Sequence, residues 1–131
     1  MANYLLDSNV LIQHLRGHIP TTTLLTRLAF EGQLGLAAIS RTEVLAGMRP
    51  HEHESTLRFL NALACYTLDA TTADLAGNLI YRYRRQGVTV DVPDALIAAT
   101  ALGQGLVLLT YNPRHFSMPE LHLYAHMPSL T

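Results

Sequence analysis

The chain has no tryptophan, a single cysteine and few aromatic residues, and these shortages narrow what it can be. Aromatic residues make up 7% of the 131 residues although 49% are hydrophobic, so leucine and alanine must form most of the core. That composition favours helices packed closely on a sheet over a β-sandwich. Cys65 has no partner for an intramolecular disulfide, and we expect it as a small buried hydrophobe in a reducing compartment.

Charge is also scarce. Charged residues make up 15% of the chain and the formal net charge is −1, so no broad basic field indicates a nucleic-acid-binding protein. The low charged fraction predicts apolar surface that a second copy or another protein covers. No apolar run approaches bilayer length, and the first residues lack a signal-peptide pattern. We therefore expect a cytoplasmic protein without membrane contact, in which residues 1–131 form one domain.

Strand-like and helix-like segments alternate along the chain. Short apolar runs predict strands at 3–6, 35–39, 65–68 and 106–110. Helical spacing of apolar residues predicts helices at 10–16, 21–31, 40–47, 51–63, 71–85 and 91–102. Residues 121–124 are a candidate for a last edge strand. Strands separated by helices indicate an α/β fold with a mostly parallel, helix-covered sheet.

Three acidic residues fall where a predicted strand ends or a predicted helix begins. Asp7 ends the first predicted strand. Glu43 lies in the first turn of the helix that follows the second predicted strand, and Asp94 lies in the first turn of the helix that precedes the last predicted strand. Open parallel sheets gather functional groups at this edge. Converging carboxylates repel one another unless a cation compensates, and Mg²⁺ or Mn²⁺ is held by such oxygens and by water. An ion held in this way can activate water for attack on a phosphodiester.

Each acid also has a simpler structural interpretation. Ser40 and Glu43 have the spacing of a capping box, in which both would satisfy backbone groups at the start of their own helix. Asp91 is a natural N-cap, and Asp94 is favoured in the first turn by the helix dipole. Asp7 begins an ordinary polar turn before a helix. The placement of all three at one edge is what favours a metal site.

Four segments of the chain form a recognisable set: YLLDSNVLI at 4–12, ISRTEVLAG at 39–47, PDALIAATA at 93–101 and LLTYNPRHF at 108–116. In this order and spacing they resemble the PIN-domain family, specifically the VapC-like toxin ribonucleases of bacterial toxin–antitoxin systems. The resemblance implies a PIN-like three-layer α/β/α domain over residues 1–131, Mg²⁺ or Mn²⁺ as cofactor, and endonucleolytic cleavage of RNA. It also implies a homodimer and a small cognate antitoxin that covers the site.

The resemblance assigns roles by position. Asp7, Glu43 and Asp94 match the core metal-binding acids of the family. Many PIN nucleases place a further aspartate after the last strand, where this chain has Asn112 and, further on, His115. Asn112 is a candidate supporting residue, since its carbonyl oxygen can accept a hydrogen bond and orient water. It adds no negative charge, so we expect one ion rather than two. Asp91 is a further candidate metal ligand that would replace the missing acid, or it only caps its helix.

Other polar residues are assigned supporting roles. Ser8 and Thr110 match small hydroxyl positions that could contact metal-bound water. The candidates for binding the phosphates of the RNA backbone are Arg82, Arg84, Arg85 and Arg114. The first three end a helix, where cations are favourable without any ligand.

Two further sequence patterns have competing interpretations. The run from His51 to Glu54 looks like a metal cluster, but alternating histidines do not share a helical face. An apolar stripe is most simply core, and its flanks could form an antitoxin groove; its members are Leu11, Leu15, Leu45 and Met48.

Three rival functions share this fold class or this family. A phospho-acceptor receiver domain has a similar sheet, but it would need an acidic pair near the first strand and a lysine after the last. A catalytically weak PIN-fold module would bind RNA or protein without cleaving it. A nuclease acting on DNA or structured RNA would use the same acids outside any toxin system.

Overall fold

The computed structural model describes residues 3–131, which contain four strands, six α-helices and two short 3₁₀ helices. The strands are β1 (Tyr4–Leu6), β2 (Leu34–Ala37), β3 (Ala64–Tyr66) and β4 (Val107–Leu109). The helices are α1 (Ser8–Leu15), α2 (Ile19–Glu31), α3 (Ala38–Gly47), α4 (His53–Asn61), α5 (Ala70–Arg85) and α6 (Val92–Gln104). The 3₁₀ helices are Pro50–Glu52 and Pro113–His115.

The strands form one parallel sheet in the order β3-β2-β1-β4. Leu5 of β1 pairs with Gly35 of β2 on one side and with Leu108 of β4 on the other. Successive side chains of a strand point to opposite faces. Leu5 accordingly joins a core with residues of α5 and α6, and Leu6 joins a second core with residues of α1 and α2. The predicted parallel sheet covered by helices on both faces, in three layers, is confirmed.

Most predicted boundaries agree with the structure to within about two residues, which is the usual uncertainty of helix ends. One difference matters for the site: α3 begins at Ala38, so Ser40 lies inside the helix rather than before it. The segment 121–124 does not form a strand of the sheet. Leu123 instead makes an isolated parallel bridge with Leu108.

The expectation for Cys65 is wrong, because its side chain is exposed. Cys65 lies on β3, which is an edge strand of the sheet and has no neighbouring strand on its outer side in the described chain.

Helix length and hydropathy bear on membrane contact. None of the helices formed by residues 3–131 is long and apolar enough to cross a membrane.

Candidate active site

Asp7 is held at the carboxyl end of β1 by hydrogen bonds to both of its carboxylate oxygens. It is 6% exposed and occupies the N-cap of α1. The Ser8 N–H donates to Oδ1 at 2.8 Å, and the Thr110 hydroxyl donates to Oδ2 at 2.7 Å. The Asn112 N–H donates to the Thr110 hydroxyl at 2.9 Å. The segment after β4 thus fixes the acid that follows β1.

The environment of Asp7 disfavours its charge. Burial raises the pKa of Asp7 most, the hydrogen bonds from Thr110 and Ser8 lower it, and the charges of Asp94 and Glu43 raise it further. The net shift is upward. A cation bound at Asp7 would remove both causes of destabilisation, because it replaces lost hydration and offsets the neighbouring acids.

Glu43 does not have the position or the partner that a capping box requires. Ala37 is the N-cap of α3 and makes no side-chain cap hydrogen bond in the described structure. Since α3 starts at Ala38, Glu43 lies in the second turn, beyond the free backbone N–H groups. Its Oε1 instead accepts a hydrogen bond from the Ser8 hydroxyl at 2.6 Å. The predicted first-turn position of Glu43 is therefore wrong, while its side chain does turn toward the residue next to Asp7.

Ser40, the other half of that predicted capping box, is fully buried. The Ser40 hydroxyl is buried and has no hydrogen-bond partner among residues 3–131. It lies one helical turn before Glu43, so the two residues share a side of α3.

Asp94 lies in the first turn of α6, as predicted, and contacts His115. Nδ1 of His115 is 3.1 Å from Oδ2 of Asp94. Burial raises the pKa of Asp94 most; His115 lowers it, and the charges of Asp91 and Glu43 raise it. The net shift is again upward. His115 is a site residue that sequence reasoning mentioned but did not assign.

Asp91 occupies the N-cap position of α6 by its backbone conformation. Within the described chain the side chain of Asp91 makes no capping hydrogen bond. N-capping therefore accounts for the backbone position of Asp91 but gives its carboxylate no role. Its charge acts on Asp94. Asn9 is a further residue that was not assigned: its side-chain oxygen accepts a hydrogen bond from the Tyr111 N–H at 3.2 Å, which ties α1 to the segment after β4.

The donor set fits a divalent cation in its chemistry. Asp7, Glu43 and Asp94 act on one another electrostatically, and all offer hard oxygen donors. Among residues 3–131, however, no three acidic, histidine or cysteine side chains converge closely enough to enclose an ion. Glu43 and Asp94 are engaged by Ser8 and His115. Mg²⁺ usually keeps several waters and takes one or two carboxylates, which is the kind of site that this arrangement suits.

The four candidate RNA-binding arginines are all exposed. Three of them end α5, which a short segment joins to the start of α6 and hence to Asp94. Arg82 pairs with Glu120 at 3.4 Å, and Arg85 donates to the Tyr81 hydroxyl at 2.9 Å. Arg114 lies in the 3₁₀ helix Pro113–His115, directly before His115.

Comparison with known proteins decides between the fold families. A family model described as PIN domain matches residues 4–121. This chain belongs to the PIN-domain family. Ribonuclease VapC10 of Mycobacterium tuberculosis is 38% identical to this PIN-domain chain over 116 residues, which is 88% of the chain and 87% of the relative. Ribonuclease VapC19 of the same organism is 36% identical over 119 residues, covering 89% and 95%.

Solved structures agree with this membership. The toxin–antitoxin complex from Klebsiella pneumoniae matches the PIN-domain chain with a TM-score of 0.78 at 26% identity, over 93% of this chain and 96% of the other. The structure of VapBC2 from Rickettsia felis, bound to a DNA fragment from the VapBC2 promoter, matches with a TM-score of 0.82 at 24% identity, over 93% of this chain and 97% of the other. The resemblance to VapC-like PIN proteins is confirmed, and the receiver-domain interpretation is set aside.

Proposed function

We propose that this PIN-domain chain is a Mg²⁺- or Mn²⁺-dependent endoribonuclease and the toxin of a VapBC-type toxin–antitoxin pair. Residues 1–131 would act as one domain. The observation that carries the proposal is that buried Asp7 and partly buried Asp94 both lie at the carboxyl edge of the sheet, and that burial most, and then the charges of acidic neighbours, raises the pKa of each. The names of the VapC10 and VapC19 relatives support RNA as the substrate.

Each residue of the site has a distinct part in the proposed mechanism. Asp7 and Asp94 would hold the ion, with Glu43 reaching it directly or through water. The ion would supply a bound water of lowered pKa and offset charge on the scissile phosphate. Thr110 and Ser8 keep the carboxylates of Asp7 and Glu43 in fixed orientations. Because these orientations are set before substrate binds, little reorganisation is needed for in-line attack.

His115 would act as a positioning residue for Asp94. Replacing His115 with Ala removes the 3.1 Å contact, and we expect the Kd for Mn²⁺ to rise by about 10- to 100-fold, as is usual for loss of a residue that orients a metal ligand. Isothermal titration with Mn²⁺ measures this. The exposed His122 provides the control, since His122→Ala should bind Mn²⁺ as the parent does. An unchanged Kd in His115→Ala would remove His115 from the site.

A cognate antitoxin is the proposed protein partner. The four members of the predicted apolar stripe divide. Leu11 is fully buried core and Leu45 is partly buried against that core, while Leu15 and Met48 line a groove of about 350 Å³ between α1, α3 and α4. Arg16, Arg49 and Glu52 also line it, and Glu52 accepts a hydrogen bond from the Arg49 N–H, so the two arginines outnumber the one acid. An amphipathic helix with an apolar face and acidic flanks would complement this groove.

A homodimer is proposed from the apolar surface of two other helices. Tyr81 on α5 and Val92 on α6 are large hydrophobic side chains that the described chain leaves exposed. Exposed apolar surface of this kind favours burial against a second copy. The dimer, like the antitoxin complex, would act in the cytoplasm.

The cleavage experiment tests the proposal. Purified protein is incubated with an unstructured RNA in Mn²⁺, in Mg²⁺ and in EDTA, and internal cleavage products are resolved on a gel. We expect products with either ion, none in EDTA, and recovery when Mn²⁺ is added back. Cleavage that persists in EDTA would contradict metal dependence. No cleavage under any condition would favour the non-catalytic PIN-fold module. Asn112 in place of an aspartate, and acids that do not enclose an ion within residues 3–131, are compatible with that module.

A further inference from the structure

A second cavity lies beside the acid site, at the carboxyl end of β4. Its volume is about 330 Å³, at the small end of the range for ligand pockets. Its lining residues are Thr110, Tyr111, Pro113, Leu123, Tyr124, Ala125 and Met127. Among these described residues none is charged. Thr110 belongs to both places, because its hydroxyl donates to Asp7 at 2.7 Å. Through Thr110 the cavity therefore borders Asp7, one of the residues proposed to hold the ion.

The polar ends of the two tyrosines are already occupied by protein partners. The Tyr111 hydroxyl hydrogen-bonds to the hydroxyl of Thr21, which is fully buried. The Tyr124 hydroxyl accepts a hydrogen bond from Arg27 at 2.9 Å. These contacts fix both rings without a ligand. What the cavity offers is therefore preorganised aromatic and apolar surface rather than free polar groups.

We propose that this cavity holds one unpaired base of the RNA substrate, next to the scissile phosphate, and so sets which site is cleaved. The proposal rests on the proposed ribonuclease function. Unpaired bases are commonly bound by stacking on tyrosine, and every base offers a flat apolar face for it. Arg114 beside Pro113 places positive charge at the rim, where the flanking phosphates of a bound strand would lie, whereas Arg27 beside Tyr124 is already paired with Glu31 at 3.7 Å.

The size of the cavity also distinguishes a base from other occupants. A single base with its ribose fits a pocket of this size, whereas a duplex would have to be read across a broad surface. Stacking of one base is worth about 1–3 kcal/mol, which corresponds to about 5- to 140-fold in kcat/KM. That factor is large enough to select a cleavage site in an RNA with several accessible bases.

The test removes the RNA base and the Tyr124 ring in separate experiments. The main cleavage site of the wild-type protein is mapped in a single-stranded RNA, and a set of oligonucleotides then carries one abasic ribose at each position around it. We expect one position at which loss of the base lowers kcat/KM by about 5- to 140-fold. Tyr124→Ala should lower kcat/KM on the intact RNA by a similar factor, and should be insensitive to the abasic ribose at that position.

Met127→Ala is a second variant, in case Tyr124→Ala is poorly folded, and it should reduce the same sensitivity. Leu68→Ala is the matched control, because Leu68 is 49% exposed and follows β3, which lies at the opposite edge of the sheet from β4. This control should keep the wild-type rate and the wild-type sensitivity.

Four outcomes count against the base pocket or against the activity on which it rests. Equal cleavage of all abasic RNAs by the wild type would overturn the proposal, as would a Tyr124→Ala variant with undiminished sensitivity. If Tyr124→Ala cleaves RNA normally but weakens antitoxin binding, the cavity belongs to the protein interface and the proposal is also overturned. No cleavage by the wild type would instead count against the ribonuclease function itself.

Discussion

Replacing Asp94 with Asn should lower the rate constant of RNA cleavage by on the order of 10²- to 10³-fold or more, at saturating Mn²⁺. The amide keeps the shape of the side chain, so its contact with His115 and the start of α6 are preserved. It removes the negative charge that the proposed site needs for the ion. Single-turnover cleavage of one labelled RNA gives the rate without interference from product release.

Asp74→Asn is the matched control for this substitution. Asp74 is exposed on α5, so the same chemical change there removes a charge without touching the site. Its rate should equal that of the parent. If Asp94→Asn cleaved as fast as Asp74→Asn, Asp94 would not be a ligand of a catalytic ion, and the site would have to be sought elsewhere.

Binding of Mn²⁺ should stabilise the folded protein strongly. At an ion concentration 100 times the Kd, the free energy of unfolding should rise by about 2.7 kcal/mol, since the ion binds only the folded state. Without metal, the carboxyl groups of Asp7 and Asp94 lower the free energy of unfolding when they are ionised. The folded-state pKa of Asp7 lies above its ordinary value of 3.8, so its contribution to stability is fully present below that pH and is lost as pH rises through the raised pKa. Asp94 has the same sign.

Urea unfolding between pH 4 and 7, with and without Mn²⁺, measures both effects. The metal-free protein should lose part of its stability as pH rises, and Asp7→Asn should reduce that loss because it removes the carboxyl that titrates. Asp7→Asn should also abolish most of the stabilisation by Mn²⁺, whereas Asp74→Asn should leave it intact. A metal-free Asp7→Asn variant with the parent's pH dependence would show that burial of the Asp7 charge is not what costs stability.

The sequence predicts the architecture well because its signals are local. Alternating apolar runs and amphipathic stretches identify the strands and helices, and the parallel arrangement follows from the helices between them. The rule that functional groups gather at the carboxyl edge then places Asp7 and Asp94 at the same end of the sheet. Both predictions need no information beyond a few neighbouring residues and a topology rule.

The errors arise where a local pattern has two physical solutions. Residues 38–40 read equally well as the end of a strand and as the start of a helix, and the structure takes the helix. That choice moves Glu43 out of the first turn and pairs it with Ser8 instead of the backbone. The exposure of Cys65 depends on β3 being an edge strand, which its own sequence does not reveal.

Several features of the site depend on contacts that are distant in the sequence. His115 reaches Asp94 because the 3₁₀ helix Pro113–His115 turns the chain back toward α6. A pattern of Asn, Pro, Arg and His predicts a turn there, but not its contact. The hydrogen bond between Tyr111 and Thr21 joins residues 90 positions apart, and with it the cavity beside Thr110 is built. Such contacts need the tertiary structure.

One divalent ion bound between the acids at the carboxyl edge of the sheet is the feature on which the proposed function depends. Anomalous scattering from crystals of the full chain soaked in Mn²⁺ tests it most directly. We expect one peak, about 2.0–2.2 Å from carboxylate oxygens of Asp7 and Asp94, with Glu43 a direct ligand or one water away. No peak at these acids in a protein that cleaves RNA with Mn²⁺, or a peak at His51–Glu54 instead, would contradict this metal site.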